Sequence, residues 1–157
     1  MEFQACSEAE CERLYAKTDH KYVRLNYYYL FDLPTRSTEC SAGYDFHSPF
    51  EVRIKKGRTV SFPLFVKALG MPKDSVLLVF NRSGLSLKYG IRLDNAVGVI
   101  DADYKQCIWV QVTNYGKKDY YIHTNDKIAQ GVFVRYLTVD GDTASGNRTG
   151  GFGSTGK

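Results

Sequence analysis

No apolar run in this 157-residue chain approaches the ~20 residues that a bilayer-spanning helix needs. The N-terminus carries Glu2, Glu8, Glu10 and Glu12 where a secretory signal would set basic residues before an apolar stretch. Both absences point to a cytoplasmic protein with no membrane partner. Zinc-ligand spacing is missing too: Cys6, Cys11, Cys40 and Cys107 form no Cys-x-x-Cys pair, and the three histidines lie far apart. The pattern offers no disulfide framework, and the thiols read as reduced. Charge has little bias of sign. A formal net charge of +4 suits anionic ligands but is too small and too evenly spread for a nucleic-acid-binding surface.

What is present is the material of one folded domain, since 43% hydrophobic against 24% charged residues is globular rather than disordered composition. Ser7-Glu8-Ala9-Glu10 has the form of a capping box opening a short helix through Tyr15, although residues 1–20 lack a clear apolar face and read equally well as a loosely docked arm. Beyond them, short apolar or alternating runs are punctuated by Gly, Asn, Asp and Pro turns. Strands are predicted over Tyr22–Leu33 (stopped by Pro34), Phe50–Ile54, Arg58–Leu64, Val76–Phe80, Ile108–Thr113, Asp119–His123 and Ile128–Leu137. Two further short strands are predicted between Ile91 and Tyr104, about a turn near Asp94-Asn95. This is an all-β sandwich or barrel. At Gly141 the composition shifts to Gly, Ser, Thr and Asn, so residues 1–140 form the β domain and 141–157 a flexible polar tail.

The chemistry concentrates between Asn81 and Tyr104. Arg82-Ser83-Gly84-Leu85-Ser86 sets a guanidinium, two hydroxyls and an open backbone within five residues, the groups that an oxyanion cluster such as a triphosphate requires. Asp101, Asp103 and Tyr104 follow. A carboxylate beside a phosphate site serves to bind a cation or to take a proton from water. Elsewhere, Ser41-Ala42-Gly43-Tyr44-Asp45-Phe46 reads as a glycine turn entering a strand with Asp45 solvated, and Asp126-Lys127-Ile128-Ala129-Gln130 as a turn opening a buried strand.

Together these segments resemble the homotrimeric deoxyuridine triphosphatases (dUTPases). RSGLSLKYGI and LDNAVGVIDADY are similar to the family's second and third motifs, SAGYDF to the first and DKIAQ to the fourth. Arg148 to Lys157, with Phe152 among glycines and hydroxyls, resembles the fifth, an arm that orders over bound nucleotide. Two departures stand out: Asn81 replaces a usual proline before Arg82, a change expected to alter only the local loop, and Arg148 lies one residue closer to Phe152 than the usual arginine, at whose place Asn147 stands.

The resemblance implies a distorted jelly-roll β-barrel, a homotrimer with sites shared between subunits, and hydrolysis of dUTP to dUMP and pyrophosphate, limiting uracil incorporation into DNA. It implies Asp101 as the base that activates water. Arg82, Ser83, Gly84, Gln130, Arg148, Gly153, Ser154 and Thr155 would hold phosphate, and Asp45 would hold Mg²⁺ through water. Asn95, Gly98, Val99 and Ile100 would read uracil, Tyr104 would pack on the deoxyribose, and Phe152 would stack on the base. Asp103 would be an ion-pair partner. A nucleotide-sensing trimer that contacts a regulatory protein partner is the alternative outside catalysis. A dCTP deaminase would need a glutamate near the nucleobase, and Asp-Ala-Asp-Tyr supplies none.

Overall fold

The computed structural model describes residues 1–24, 31–146, 148 and 150. In chain order the elements are β1 (Glu2–Ala5), α1 (Glu8–Tyr15), β2 (Val23–Arg24), β3 (Tyr44–His47), β4 (Glu51–Ile54), β5 (Thr59–Pro63), β6 (Val66–Leu69), β7 (Ser75–Asn81), α2 (Ser83–Tyr89), β8 (Ile91–Leu93), β9 (Val97–Asp101), β10 (Trp109–Asn114), β11 (Tyr120–Ile122) and β12 (Lys127–Arg135). Alternation decides what goes inside: in β5, Val60 and Phe62 are buried while Thr59 and Ser61 are exposed. Among the described residues every strand pair is antiparallel, in four small sheets ordered β1-β6, β5-β10-β8, β11-β4-β2 and β3-β12-β7-β9. They close on one core in which Phe46, Phe50, Phe62, Phe65, Leu64, Leu77 and Ile108 are fully buried. Phe50 packs edge-on against Phe65 and Phe62, with centroids 4.9 and 6.0 Å apart. The all-β expectation is met.

The N-terminal segment is more ordered than its sequence suggests. Ser7 caps α1, and both halves of the capping box form. The helix is not a loose arm, because Cys11 and Leu14 are buried and Glu10 pairs with Lys67 on β6. Ahead of it, β1 pairs with β6. Neither β1 nor β6 was expected.

Three local readings change. Of the strand predicted over Tyr22–Leu33, Val23–Arg24 is strand and residues 31–33 are not; positions 25–30 lie outside the described residues. The turn at Asp94–Ala96 exists, with Ala96 at φ 58, but it does not join a hairpin. β8 pairs with β10 and β9 with β7, so the two strands leave the turn for different sheets. Finally, Ser83–Tyr89 is a helix, closed by Gly90 in the left-handed conformation at φ 71. That φ suits glycine, and a Cβ there would also lie 2.8 Å from the backbone nitrogen of Gly116.

Candidate active site

Two groups of the expected residues assemble, at opposite ends of β7. At the Asn81 end, the Asp45 carboxylate is buried on β3. It takes a 3.2 Å ion pair from Arg82 Nε on one oxygen, and Lys127 Nζ at 2.8 Å and Ser37 Oγ at 3.0 Å on the other. Burial pushes this carboxyl up, but the Lys127 and Ser37 hydrogen bonds and the Arg82 charge outweigh it and hold it below the usual aspartate range. The solvated reading of Asp45 is therefore overturned: it is buried on β3 beside the core residue Phe46, under Ser37 and two cations. Lys127 and Ser37 were not singled out as site residues. Lys127 stood in the quoted Asp-Lys-Ile-Ala-Gln, whereas nothing in the sequence flags Ser37.

Gln130 faces Asp45 across the β3–β12 ladder. A Cβ on Gly43 would come 3.3 Å from Gln130 Oε1, so glycine there makes room for the amide. Arg82 opens α2, whose first turn has no side-chain cap and exposes Ser83 and Gly84. Free N–H groups beside a guanidinium and a lysine favour an anion. Arg82 and Lys127 line a shared cavity with Leu85, Asn125 and Asp126. Asn81, where a loop change was expected, completes β7 instead, and its side-chain oxygen accepts from the Leu93 backbone N–H, tying β7 to β8.

Direct coordination of a metal does not fit this end. Asp45 has both oxygens engaged, and no group of three His, Cys, Asp or Glu suited to a metal occurs among the described residues. The donor set fits a hydrated Mg²⁺ better, one that Asp45 and Gln130 would hold through water, because Mg²⁺ gives up its waters reluctantly.

At the other end of β7, Asp101 lies opposite Val76 in the β7–β9 ladder. Arg148 pairs with Asp101 and, at 3.0 Å, with Asp103, and its guanidinium carbon lies 5.7 Å from the centre of the Tyr104 ring. The arm's arginine thus sits on the candidate base of its own chain. Tyr104 is buried and donates to the Cys107 carbonyl at 2.9 Å; burial pushes its phenol up to about 12. Tyr104 and Asn95 line a cavity of about 560 Å³ whose further wall comes from α1, through Arg13 and Leu14, and from Lys17 just beyond it. That helical wall was not foreseen. β9 is the edge of its sheet, and among the described residues no strand pairs with its outer edge, so alternate backbone donors and acceptors there are open to a ligand. Val99 is exposed on it and Ile100 buried. At Gly98 a Cβ would make contact with Val79 Cβ at 3.4 Å and Asn95 Nδ2 at 3.7 Å. Phe152, Gly153, Ser154 and Thr155 lie outside the described residues.

The two groups do not meet within one chain. Asp101 faces Val76, whereas Arg82 and Ser83 follow Asn81, five residues further along β7. At about 3.4 Å per residue this is roughly 17 Å, well beyond the reach of a water held between a base and an α-phosphate.

An anion-gripping end and an edge strand open to a nucleobase, both on an all-β barrel, define a nucleotide-binding protein of jelly-roll class. The family model described as dUTPase matches residues 30–156, and the chain belongs to the dUTPase family. A deoxyuridine 5'-triphosphate nucleotidohydrolase of Lactococcus lactis is 38% identical over 133 residues, covering 80% of this chain and 88% of that one. The crystal structure of a dUTPase from Streptococcus mutans matches with a TM-score of 0.69 at 30% identity, over 90% of this chain and all of the other. A dUTPase from phage phi11 of S. aureus, described with a structural Mg(II) ion, shares the fold at a TM-score of 0.66 and 23% identity, over 81% of this chain and 97% of that one.

Proposed function

We propose that the protein hydrolyses dUTP to dUMP and pyrophosphate at sites built between copies of the chain in a C3 trimer. The observation that carries this reading is the separation of two complementary half-sites by the length of β7: one chain's phosphate end needs another chain's base end. Exposed apolar side chains near both ends supply surface for such packing, with Leu87 on α2 84% exposed, Val99 on β9 61% and Leu137 beyond β12 97%.

In the assembled site, Arg82, Ser83 and the first turn of α2 bind the phosphate oxygens, with Gln130 beside them. Lys127 and Arg82 keep Asp45 ionised. Asp45 and Gln130 would hold Mg²⁺ through its waters, and the ion would supply charge neutralisation to the phosphates. The outer edge of β9 from Gly98 to Ile100, together with the Asn95 amide, pairs with the O2, N3–H and O4 of uracil. Cytosine reverses the pattern at N3 and N4, and leaves buried groups unpaired at a cost of about 1–3 kcal/mol each. Tyr104 packs on the deoxyribose. Asp101 then takes a proton from the water that attacks the α-phosphorus, and pyrophosphate leaves in line. Arg148 must release Asp101 for this, and the triphosphate offers it a denser negative charge. Gly153, Ser154 and Thr155 follow as phosphate contacts, with Phe152 over the base. Pyrophosphate release measured separately with dUTP, UTP, dCTP and dTTP tests the reading: release from dUTP alone supports it, and equal release from UTP or dCTP contradicts it.

A further inference from the structure

Basic residues that are spaced apart in the sequence meet at one end of the fold. Residues 52–58, 88–93 and 114–121 hold eight of the 21 lysines and arginines and one of the 17 acidic residues, so the rest of the chain is net negative. Asn114, fully buried, joins these segments. Its N–H donates to the Arg58 carbonyl at 3.0 Å, and its carbonyl accepts from Gly57 N–H at 2.9 Å. Its side-chain amide donates at 2.9 Å to the carbonyls of Ile54 and Lys118, and its Oδ1 accepts from Gly116 N–H at 2.8 Å. The next residue, Tyr115, donates its N–H to the Gly90 carbonyl at 2.9 Å. The turn bearing Lys56 and Arg58, the turn bearing Lys117 and Lys118, and the start of β8 with Arg92 are thereby held side by side. These five side chains are exposed, and among the described residues none of them enters an ion pair.

Tyrosines stand among the cations. Tyr115 is 62% exposed, with the Arg92 guanidinium carbon 5.7 Å from its ring centre. Tyr121 is 53% exposed and faces Arg53 across the β4–β11 ladder, with that guanidinium 5.8 Å from its ring centre. On the other side of β4, Arg53 N–H donates to the Tyr22 carbonyl, and Lys21 Nζ lies 5.8 Å from the Tyr22 ring centre. With Glu51 and His123, these side chains line a cavity of about 310 Å³.

We propose that this end of the molecule binds single-stranded nucleic acid. Exposed, unpaired cations neutralise phosphates and release the counterions held along a strand. Exposed rings and guanidinium planes stack on bases of any sequence, which a duplex keeps inside its own stack. An acidic peptide would satisfy the lysines but leave the tyrosine faces unused, so the interleaving of ring and cation favours the strand. The cavity beside Tyr121 receives a splayed base. Strand binding stands apart from the hydrolytic reading above: α2 spans seven residues, ~10 Å, between the phosphate end and Gly90.

The test is fluorescence anisotropy with the full chain and a labelled oligothymidylate of about 20 nucleotides, longer than the usual single-strand site, with excess dUMP present to fill the nucleotide site. The Kd should lie at about 1–100 µM near physiological salt and rise steeply as salt is added. Lys56→Gln with Lys117→Gln should weaken binding about tenfold and lower the log–log salt slope by about 1.4, the share of two phosphate contacts to a single strand. Tyr115→Ala with Tyr121→Ala should weaken binding about tenfold and leave the salt slope unchanged. Both double variants should keep the parent's melting temperature and rate of dUTP hydrolysis. Lys73→Gln with Arg135→Gln removes the same charge at the Ser75 end of β7 and should leave the Kd within about twofold of the parent's. Absence of saturable binding, an equal loss in that control, tyrosine variants that bind like the parent, or displacement by polyglutamate as readily as by unlabelled strand would overturn the proposal. A parent protein that binds the strand yet fails to hydrolyse dUTP would count against the hydrolytic reading alone.

Discussion

Asp45 is held by three donors, and its ionisation contributes stability that depends on pH. Its folded-state value is depressed, so that contribution is present above the unfolded aspartate value near ~3.9 and is lost as the pH falls through the lower folded value. Thermal melts should show the protein losing stability below about pH 4. Asp45→Asn should cost about 1–3 kcal/mol at neutral pH and flatten that acid dependence; a variant with the parent's acid profile would remove Asp45 as the cause. The figure is kept modest because the side chains of Arg82 and Lys127 remain 33% and 40% exposed. Asp101 differs, being exposed and open to solvent chemistry. Asp101→Asn should lower kcat by roughly a hundred- to ten-thousandfold while leaving dUMP binding near normal in calorimetry; a near-normal rate would exclude it as the base. Both aspartates were legible as residue types in a pattern. Their environments were not, because burial and cationic company arise from pairings between strands distant in sequence. Lys127, 82 residues beyond its partner Asp45, is the plainest case.

Elements built on local signals were readable, and those decided by partners were not. The Ser7–Glu10 box announced α1, and Ser7→Ala should cost about 1 kcal/mol in thermal melts while sparing catalysis. The alternation of β5 and the apolar run of β7 declared themselves in the same way. By contrast, β1 and β6 are four residues each, and they are strands because they pair with one another. α2 buries none of its residues, so it has no apolar stripe for a sequence to display. The break between β8 and β9 was missed because a turn with flanking apolar residues looks the same whether its strands pair together or part. Of the arm's described residues, Arg148 contributes salt bridges to Asp101 and Asp103 and no residue belongs to the core. Deletion of the arm from Arg148 onward should therefore cut kcat sharply with little change in melting temperature, and intact hydrolysis would refute its role as a lid.

The molecule as a whole is best understood as two halves of a site facing apart. Asp45, Arg82, Lys127 and Gln130 gather at one end of β7, and Asp101, Tyr104 and Arg148 at the other, and the proposed reaction draws on both ends through neighbouring chains. The most direct test is subunit mixing. Asp101→Asn and Arg82→Ala variants are each expected to be inactive as homo-oligomers, and they are unfolded and refolded together, with mixed trimers verified by native mass spectrometry. A site that takes Arg82 from one chain and Asp101 from another recovers both intact residues in a mixed trimer, so dUTP hydrolysis should return to a sizeable fraction of the parent rate. Verified mixed trimers that remain as inactive as either parent variant would contradict the shared site.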